Sequence, residues 1–123
     1  MRVLLVDDEE ELVSTLAERL TMRGIDAYWV TSGHAAIELI EHENFDVAIL
    51  DIKLPRMSGL ELKRHLSRRK PNLKFIFLTG HGSEQDYVEG SAEAGNPYYL
   101  VKPVQIEILM KKLTEIFQQE GNS

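Results

Sequence analysis

The chain of 123 residues has no cysteine, so it can form neither a disulfide nor a thiolate metal site. No apolar stretch approaches the ~20 residues of a membrane-spanning helix. The opening Met1-Arg2-Val3-Leu4-Leu5-Val6-Asp7 is too short for the apolar region of a signal peptide. A soluble, cytoplasmic protein is the expectation, with no membrane partner. Positive charge is also scarce: the formal net charge is -6, which disfavours direct nucleic-acid binding because phosphate contacts need a basic surface. The absence of a Gly-x-Gly-x-x-Gly or Walker loop argues against a nucleotide-binding module. There is no internal repeat, low-complexity tract or interdomain linker. The length suits one domain, and the 43% hydrophobic content is enough for a packed core and too high for disorder.

Four short apolar runs each stop on a residue suited to handling phosphate or metal. Val3-Leu4-Leu5-Val6 stops at Asp7-Asp8, and Val47-Ala48-Ile49-Leu50 at Asp51. Phe75-Ile76-Phe77-Leu78 stops at Thr79, and Tyr98-Tyr99-Leu100-Val101 at Lys102-Pro103. If these runs are parallel strands of one sheet, their ends share the edge at which open α/β sheets bind ligands. Asp26–Val30 is more polar and reads as an edge strand.

Helical patterns alternate with the runs. Asp8 and Glu11 fit a capping box before a face of Leu12, Val13, Leu16, Ala17 and Leu20, with Gly24 as the stop. Ser32 can cap a helix carrying Ala36, Ile37 and Ile40. Ser58 and Glu61 form a second capping box before Leu60, Leu62 and Leu66, and Pro71 ends that segment. Ser83 can open a helix running through Ala94 to Gly95. Ile106, Leu109, Leu113 and Ile116 mark a final helix, and Gly121-Asn122-Ser123 reads as a frayed end. Five near-continuous apolar strands and five helices in alternation predict an α/β fold. Its doubly wound parallel sheet should be covered on both faces, with right-handed crossovers.

The chain resembles the receiver domain of two-component response regulators. The resemblance rests on Val6-Asp7-Asp8-Glu9, the loop Leu50-Asp51-Ile52-Lys53-Leu54-Pro55-Arg56-Met57-Ser58-Gly59, Leu78-Thr79-Gly80 and Tyr99-Leu100-Val101-Lys102-Pro103. Four motifs in this order, each at a predicted strand end, are specific. The resemblance implies the flavodoxin-like strand order 2-1-3-4-5, an order for which a receiver protein is itself a standard example. Residues 1–119 would form the domain, and 120–123 a tail that could begin a linker to an output domain.

Three carboxylates brought together raise one another's pKa, and a divalent cation resolves the conflict. Oxygen-only ligands favour Mg²⁺. By resemblance, Asp8 and Asp51 bind the metal directly, Asp7 acts partly through water, and the Lys53 carbonyl completes the protein ligands. Asp51 is implied as the nucleophile that accepts a phosphoryl group from a phosphohistidine on a sensor histidine kinase or phosphotransfer protein. Lys102 would balance charge, aided by the cis peptide that family members often have before this proline. Thr79 and Tyr99 are the implied switch: the Thr79 hydroxyl moves to the phosphoryl group along the Gly80-His81-Gly82-Ser83 loop, and the Tyr99 ring fills the space left. The output would be a changed surface around the fourth helix, fifth strand and fifth helix, able to pair with another copy or a target.

Some positions depart from the common pattern. Lys53 and His81 flank the implied path of the water that hydrolyses the acyl phosphate, so both are candidates for tuning signal lifetime. Lys53 is expected to slow hydrolysis; His81 reads either as an aid to it or as a solvated loop residue. In Asn96-Pro97-Tyr98, Pro97 would stiffen the entry to the fifth strand. Ile108 and Met110 either widen an apolar partner surface or pack into the core. His34, His42 and His65 lack metal-ligand spacing and are expected at the surface. The competing reading is an aspartyl-phosphate phosphohydrolase. It is disfavoured because Lys53 stands where such enzymes carry a second Asp, and little chain remains for a substrate cap.

Overall fold

The computed structural model describes residues 1–80 and 99–121. Within them the order is β1 (Arg2–Val6), α1 (Glu10–Thr21), β2 (Asp26–Val30), α2 (Gly33–Ile40), β3 (Val47–Asp51), α3 (Gly59–Arg69), β4 (Lys74–Thr79), β5 (Tyr99–Val101) and the C-terminal helix α4 (Ile106–Gly121). The predicted helix from Ser83 to Ala94, the His81 loop, Asn96-Pro97-Tyr98 and the last two residues lie outside the described residues. The five strands form one parallel sheet in the order β2-β1-β3-β4-β5, as the resemblance implied.

Side chains of a strand alternate between faces, and that alternation builds two cores. Val3, Leu5, Val47, Ile49, Ile76 and Leu78 point to one face, where α1 contributes Val13, Leu16 and Leu20 and the C-terminal helix Leu109, Leu113 and Ile116. Leu4, Val6, Ala48, Leu50, Phe75 and Phe77 point to the other, covered by Ala36 and Ile40 of α2 and Leu62 and Leu66 of α3. β1 and β3 are inner strands covered on both faces, so their residues are buried throughout the apolar runs. Burying each large side chain contributes ~1.5–3 kcal/mol, which makes this sheet a rigid platform for its own edge.

Local signals set the starts of α2 and α3. Ser32 Oγ accepts from the Ala35 N–H (3.1 Å), and Ser58 Oγ accepts from the Glu61 N–H (3.1 Å), as the cap patterns predict. The expected capping box of Asp8 and Glu11 does not form. Helix α1 begins one residue later, behind Glu9, which makes no side-chain cap. The reason is competition: the acids before α1 are turned to the edge of the sheet, where Asp7 Oδ1 accepts the Glu9 N–H (2.9 Å) and Asp8 joins Asp7 and Asp51.

Gly24 takes φ 86° after α1, the left-handed turn glycine permits. Gly59 is required for space: a Cβ there would lie 2.5 Å from the Asp51 carbonyl oxygen and 2.9 Å from Ile52 Cα. Its N–H also donates to the Ile52 carbonyl (2.8 Å), so α3 starts directly against the end of β3. At the opposite edge of the sheet, Arg2 ties β1 to its neighbours. Its guanidinium reaches Asp26 (3.0 Å), Glu43 (2.9 Å) and the Asn44 carbonyl (2.7 Å), and stacks over Tyr28 and Phe45. No described helix is long and apolar enough to cross a membrane.

Candidate functional site

Strand register assembles the site. β1 pairs with β3 through Val6 and Leu50, so the next residues, Asp7 and Asp51, stand side by side. Asp51 pairs with Leu78, and Thr79 with Val101, which places Thr79 and Lys102 at the same edge. The Lys102 N–H donates to the Thr79 carbonyl (2.7 Å), and the Lys102–Pro103 peptide is cis, as the resemblance implied. Asp7, Asp51 and Thr79 are the buried polar residues among those described, in a fold whose other buried side chains are apolar. A polar side chain is costly to bury without partners, so their grouping at one edge marks a site.

Asp7, Asp8 and Asp51 each present a carboxylate oxygen, all within 4.8 Å of one another. The Lys102 ammonium lies 2.9 Å from Asp7 Oδ2, 2.9 Å from Glu9 Oε1 and 3.3 Å from Asp51 Oδ2. The Lys53 N–H donates to Asp51 Oδ1 (3.2 Å). Burial pushes the Asp51 carboxyl up and the neighbouring Asp7 charge adds to it, to about 6; Lys102 and the Lys53 N–H offset this only in part. For Lys102, burial works to lower the pKa, but the carboxylates of Asp7, Glu9 and Asp51 outweigh it and hold the ammonium above its usual value.

One oxygen is left over. Asp7 Oδ2 is close enough to Lys102 for an ion pair, but the approach does not make a hydrogen bond, and this buried atom has no hydrogen-bond partner. A buried carboxylate oxygen in that condition, beside two more carboxylates and no sulfur ligand, suits a hard divalent cation. The site's donor set therefore fits Mg²⁺. Among the described residues this is the one group of His, Cys, Asp or Glu that could hold a metal ion.

The remaining sequence candidates fall in different places. Lys53 is exposed beside Asp51. Tyr99 is 42% exposed and, opposite Phe77, faces the same side of the sheet as Thr79. Ile108 is 44% exposed, whereas Met110 packs against the core under the C-terminal helix. His34 and His42 are exposed and His65 is half-buried. His81 lies outside the described residues. Two features were not anticipated from sequence. One is Glu9 as a partner of Lys102, although the run Asp7-Asp8-Glu9 offered a third acid. The other is Gly59 as the residue that lets α3 meet the Asp51 backbone.

This geometry agrees with comparisons to known proteins. Residues 3–114 match the family model described as response regulator receiver domain. The chain is 36% identical over 121 residues to the two-component response regulator PhoP of Pseudomonas aeruginosa, covering 98% of this chain and 53% of that protein. It spans between 33% and 54% of the length of such curated relatives. Among solved structures, a CheY-like receiver domain from Methanospirillum hungatei superposes with TM-score 0.88 at 32% identity, covering 99% of this chain and 98% of that one. The beryllofluoride-activated NtrC4 receiver domain dimer superposes with TM-score 0.86 at 29% identity, covering 96% and 97%. A matched family model over most of the chain, the same strand order and an acidic edge completed by a lysine lead to one identification: the chain belongs to the response regulator receiver domain family.

Proposed function

We propose that this domain is a phosphorylation-driven switch in which Asp51 accepts a phosphoryl group from the phosphohistidine of a sensor histidine kinase or phosphotransfer protein in the cytoplasm. One observation carries the reading: the buried Asp51 carboxylate lies among Asp7, Asp8 and Lys102, with its Oδ2 3.3 Å from the ammonium. A carboxylate oxygen of Asp51 attacks phosphorus, an O–P bond forms, the P–N bond to the donor imidazole breaks, and the imidazole leaves with the bond's electron pair. The carboxylate state is the one needed, and with a pKa of about 6 it predominates at neutral pH.

Asp7, Asp8, Asp51 and the Lys53 carbonyl would hold Mg²⁺, which when bound supplies positive charge against the phosphoryl oxygens. Lys102 places a second positive charge at the same edge, and the packed strand ends exclude water from the buried side of Asp51. Thr79 then donates its hydroxyl to the phosphoryl group, and Tyr99 turns inward on the same sheet face. That rearrangement alters the surface around β5 and the C-terminal helix; the predicted fourth helix, expected to join that surface, lies outside the described residues. This surface is the proposed contact for a target or a second copy; the NtrC4 neighbour is described as a receiver dimer. The domain acts as a phosphoacceptor that assists its own phosphorylation and hydrolysis, with Lys53 slowing the hydrolysis. His81 is a second candidate for tuning the lifetime.

Intact mass after treatment with acetyl phosphate and Mg²⁺ tests the reading. A gain of one phosphoryl group that disappears in Asp51→Asn is expected. No gain with acetyl phosphate or with a phosphorylated cognate kinase overturns it. For Lys53, the expected result is faster loss of the phosphoryl group in Lys53→Ala than in wild type, and an unchanged lifetime removes Lys53 from the mechanism.

A further inference from the structure

Lys102 is shared among more carboxylates than charge balance at Asp51 requires. Its hydrogen bond to Glu9 Oε1 is 2.9 Å, shorter than the 3.3 Å bond to Asp51 Oδ2. The two acceptors differ in kind. Asp51 is fixed at the end of a buried strand, whereas the Glu9 side chain is 61% exposed and stands at the start of α1. Glu9 also has no competing duty: it makes no helix cap, and Lys102 is the partner of its side chain among the described residues. In the resting domain the ammonium is thus held closer to Asp7 and Glu9, each at 2.9 Å, than to Asp51, and Glu9 is the one of these two that stands outside the buried edge.

A phosphoryl group on Asp51 changes the competition. It brings strong acceptor oxygens and on the order of two negative charges next to the same ammonium. A lysine has three N–H donors but one charge, so the pull toward Asp51 must be won against Glu9. An interaction made in the resting state and loosened in the phosphorylated state opposes the change by its own strength.

We propose that Glu9 is a positioning residue that latches Lys102 in the unphosphorylated domain, so that the phosphoryl group must take the lysine from it. The inference rests on the reading of Asp51 as phosphoacceptor and adds a residue that sets how readily that state is reached. Because the Glu9 carboxylate is exposed, the latch has the strength of an exposed ion pair, equivalent to about a two- to fivefold effect on an equilibrium.

Beryllofluoride, which imitates the phosphoryl group, is the probe. Its affinity is measured by calorimetry at saturating Mg²⁺, so that a change in metal binding does not enter. Glu9→Gln is expected to bind it about two- to fivefold more tightly than wild type, and equal or weaker binding overturns the latch. A double-mutant cycle with Lys102→Ala separates the latch from a merely structural role, because the effect of Glu9→Gln should vanish without the lysine. The resting contact is read independently in metal-free protein by NMR of ¹⁵N-labelled lysine. Glu9→Gln should speed hydrogen exchange at the Lys102 ammonium, and unchanged exchange also overturns the latch. A wild type that takes no phosphoryl group from either donor overturns the phosphoacceptor reading and the latch with it. One that is phosphorylated normally but shows no Glu9–Lys102 coupling overturns the latch alone.

Discussion

Replacing Asp51 with Asn should stabilise the metal-free domain at neutral pH, because the fold holds this carboxylate where a charge is disfavoured. The carboxyl titrates at about 6 in the folded protein against 3.8 for an ordinary aspartate. The folded state therefore keeps the proton over a range in which the unfolded chain has lost it. The sign follows from linkage: Asp51 costs the fold nothing below pH 3.8, an increasing amount as pH rises toward 6, and a constant amount above that. Full conversion of the shift gives at most ~3 kcal/mol. Exposed Asp8 and Glu9 open one side of the site to water, and screening there reduces the expected gain to ~1–2 kcal/mol. Asn keeps one oxygen, which can accept from the Lys53 N–H as Oδ1 does now, while its amide NH2 faces Lys102 where Oδ2 stood; that lost acceptor is a second reason the gain falls short of the full conversion. The assay is urea unfolding followed by circular dichroism, in chelator, between about pH 4.5 and about pH 7.5. The Asn variant should be more stable at the upper end, with the difference shrinking as pH falls. An Asn variant no more stable than wild type at neutral pH would falsify the account, and so would a difference that does not depend on pH.

Other substitutions probe separate links. Gly59→Ala forces a methyl against the Asp51 carbonyl and Ile52 Cα, backbone atoms that no rotamer change can relieve; thermal unfolding should show a loss of ~1–3 kcal/mol. Ser58→Ala removes the acceptor of the Glu61 N–H at the start of α3 and should cost ~1 kcal/mol by urea titration, with Ser58→Gly costing less. Mg²⁺ should raise the midpoint of thermal unfolding of wild type by binding the folded state alone, and Asp7→Asn should lose most of that rise. An Asp7→Asn variant stabilised as much as wild type would show that the buried Asp7 oxygen left without a hydrogen bond is not a metal ligand.

Much of this molecule could be read from the order of its residues. Strands β1, β3 and β4 are near-continuous apolar runs because they are buried on both faces, and such runs announce themselves without any long-range information. Caps at Ser32 and Ser58 are likewise local, since the hydroxyl bonds an amide three residues away. The polar residue that ends each run could be named in advance because a chain leaving a buried strand must meet the sheet edge. The strand order was implied by family resemblance. Periodicity alone does not state which strands are neighbours.

Tertiary structure decided what those residues do to one another. Asp8 and Glu11 carry the pattern of a capping box, but the acids before α1 are recruited across the sheet, where Asp8 stands with Asp7 and Asp51, and the cap is lost. Glu9 and Lys102 are 93 residues apart, and only the placement of β5 at the same edge as the start of α1 makes them partners. Met110 shows the same rule in the core, since its position on the C-terminal helix, not its type, turned it inward while Ile108 stayed exposed. The sequence by itself determined the strands, most helix starts and the identity of the edge residues, because those depend on periodicity and near neighbours. The raised pKa of Asp51, the shared lysine and the Asp7 oxygen left without a hydrogen bond arise from burial and distances between strands, which no local pattern encodes.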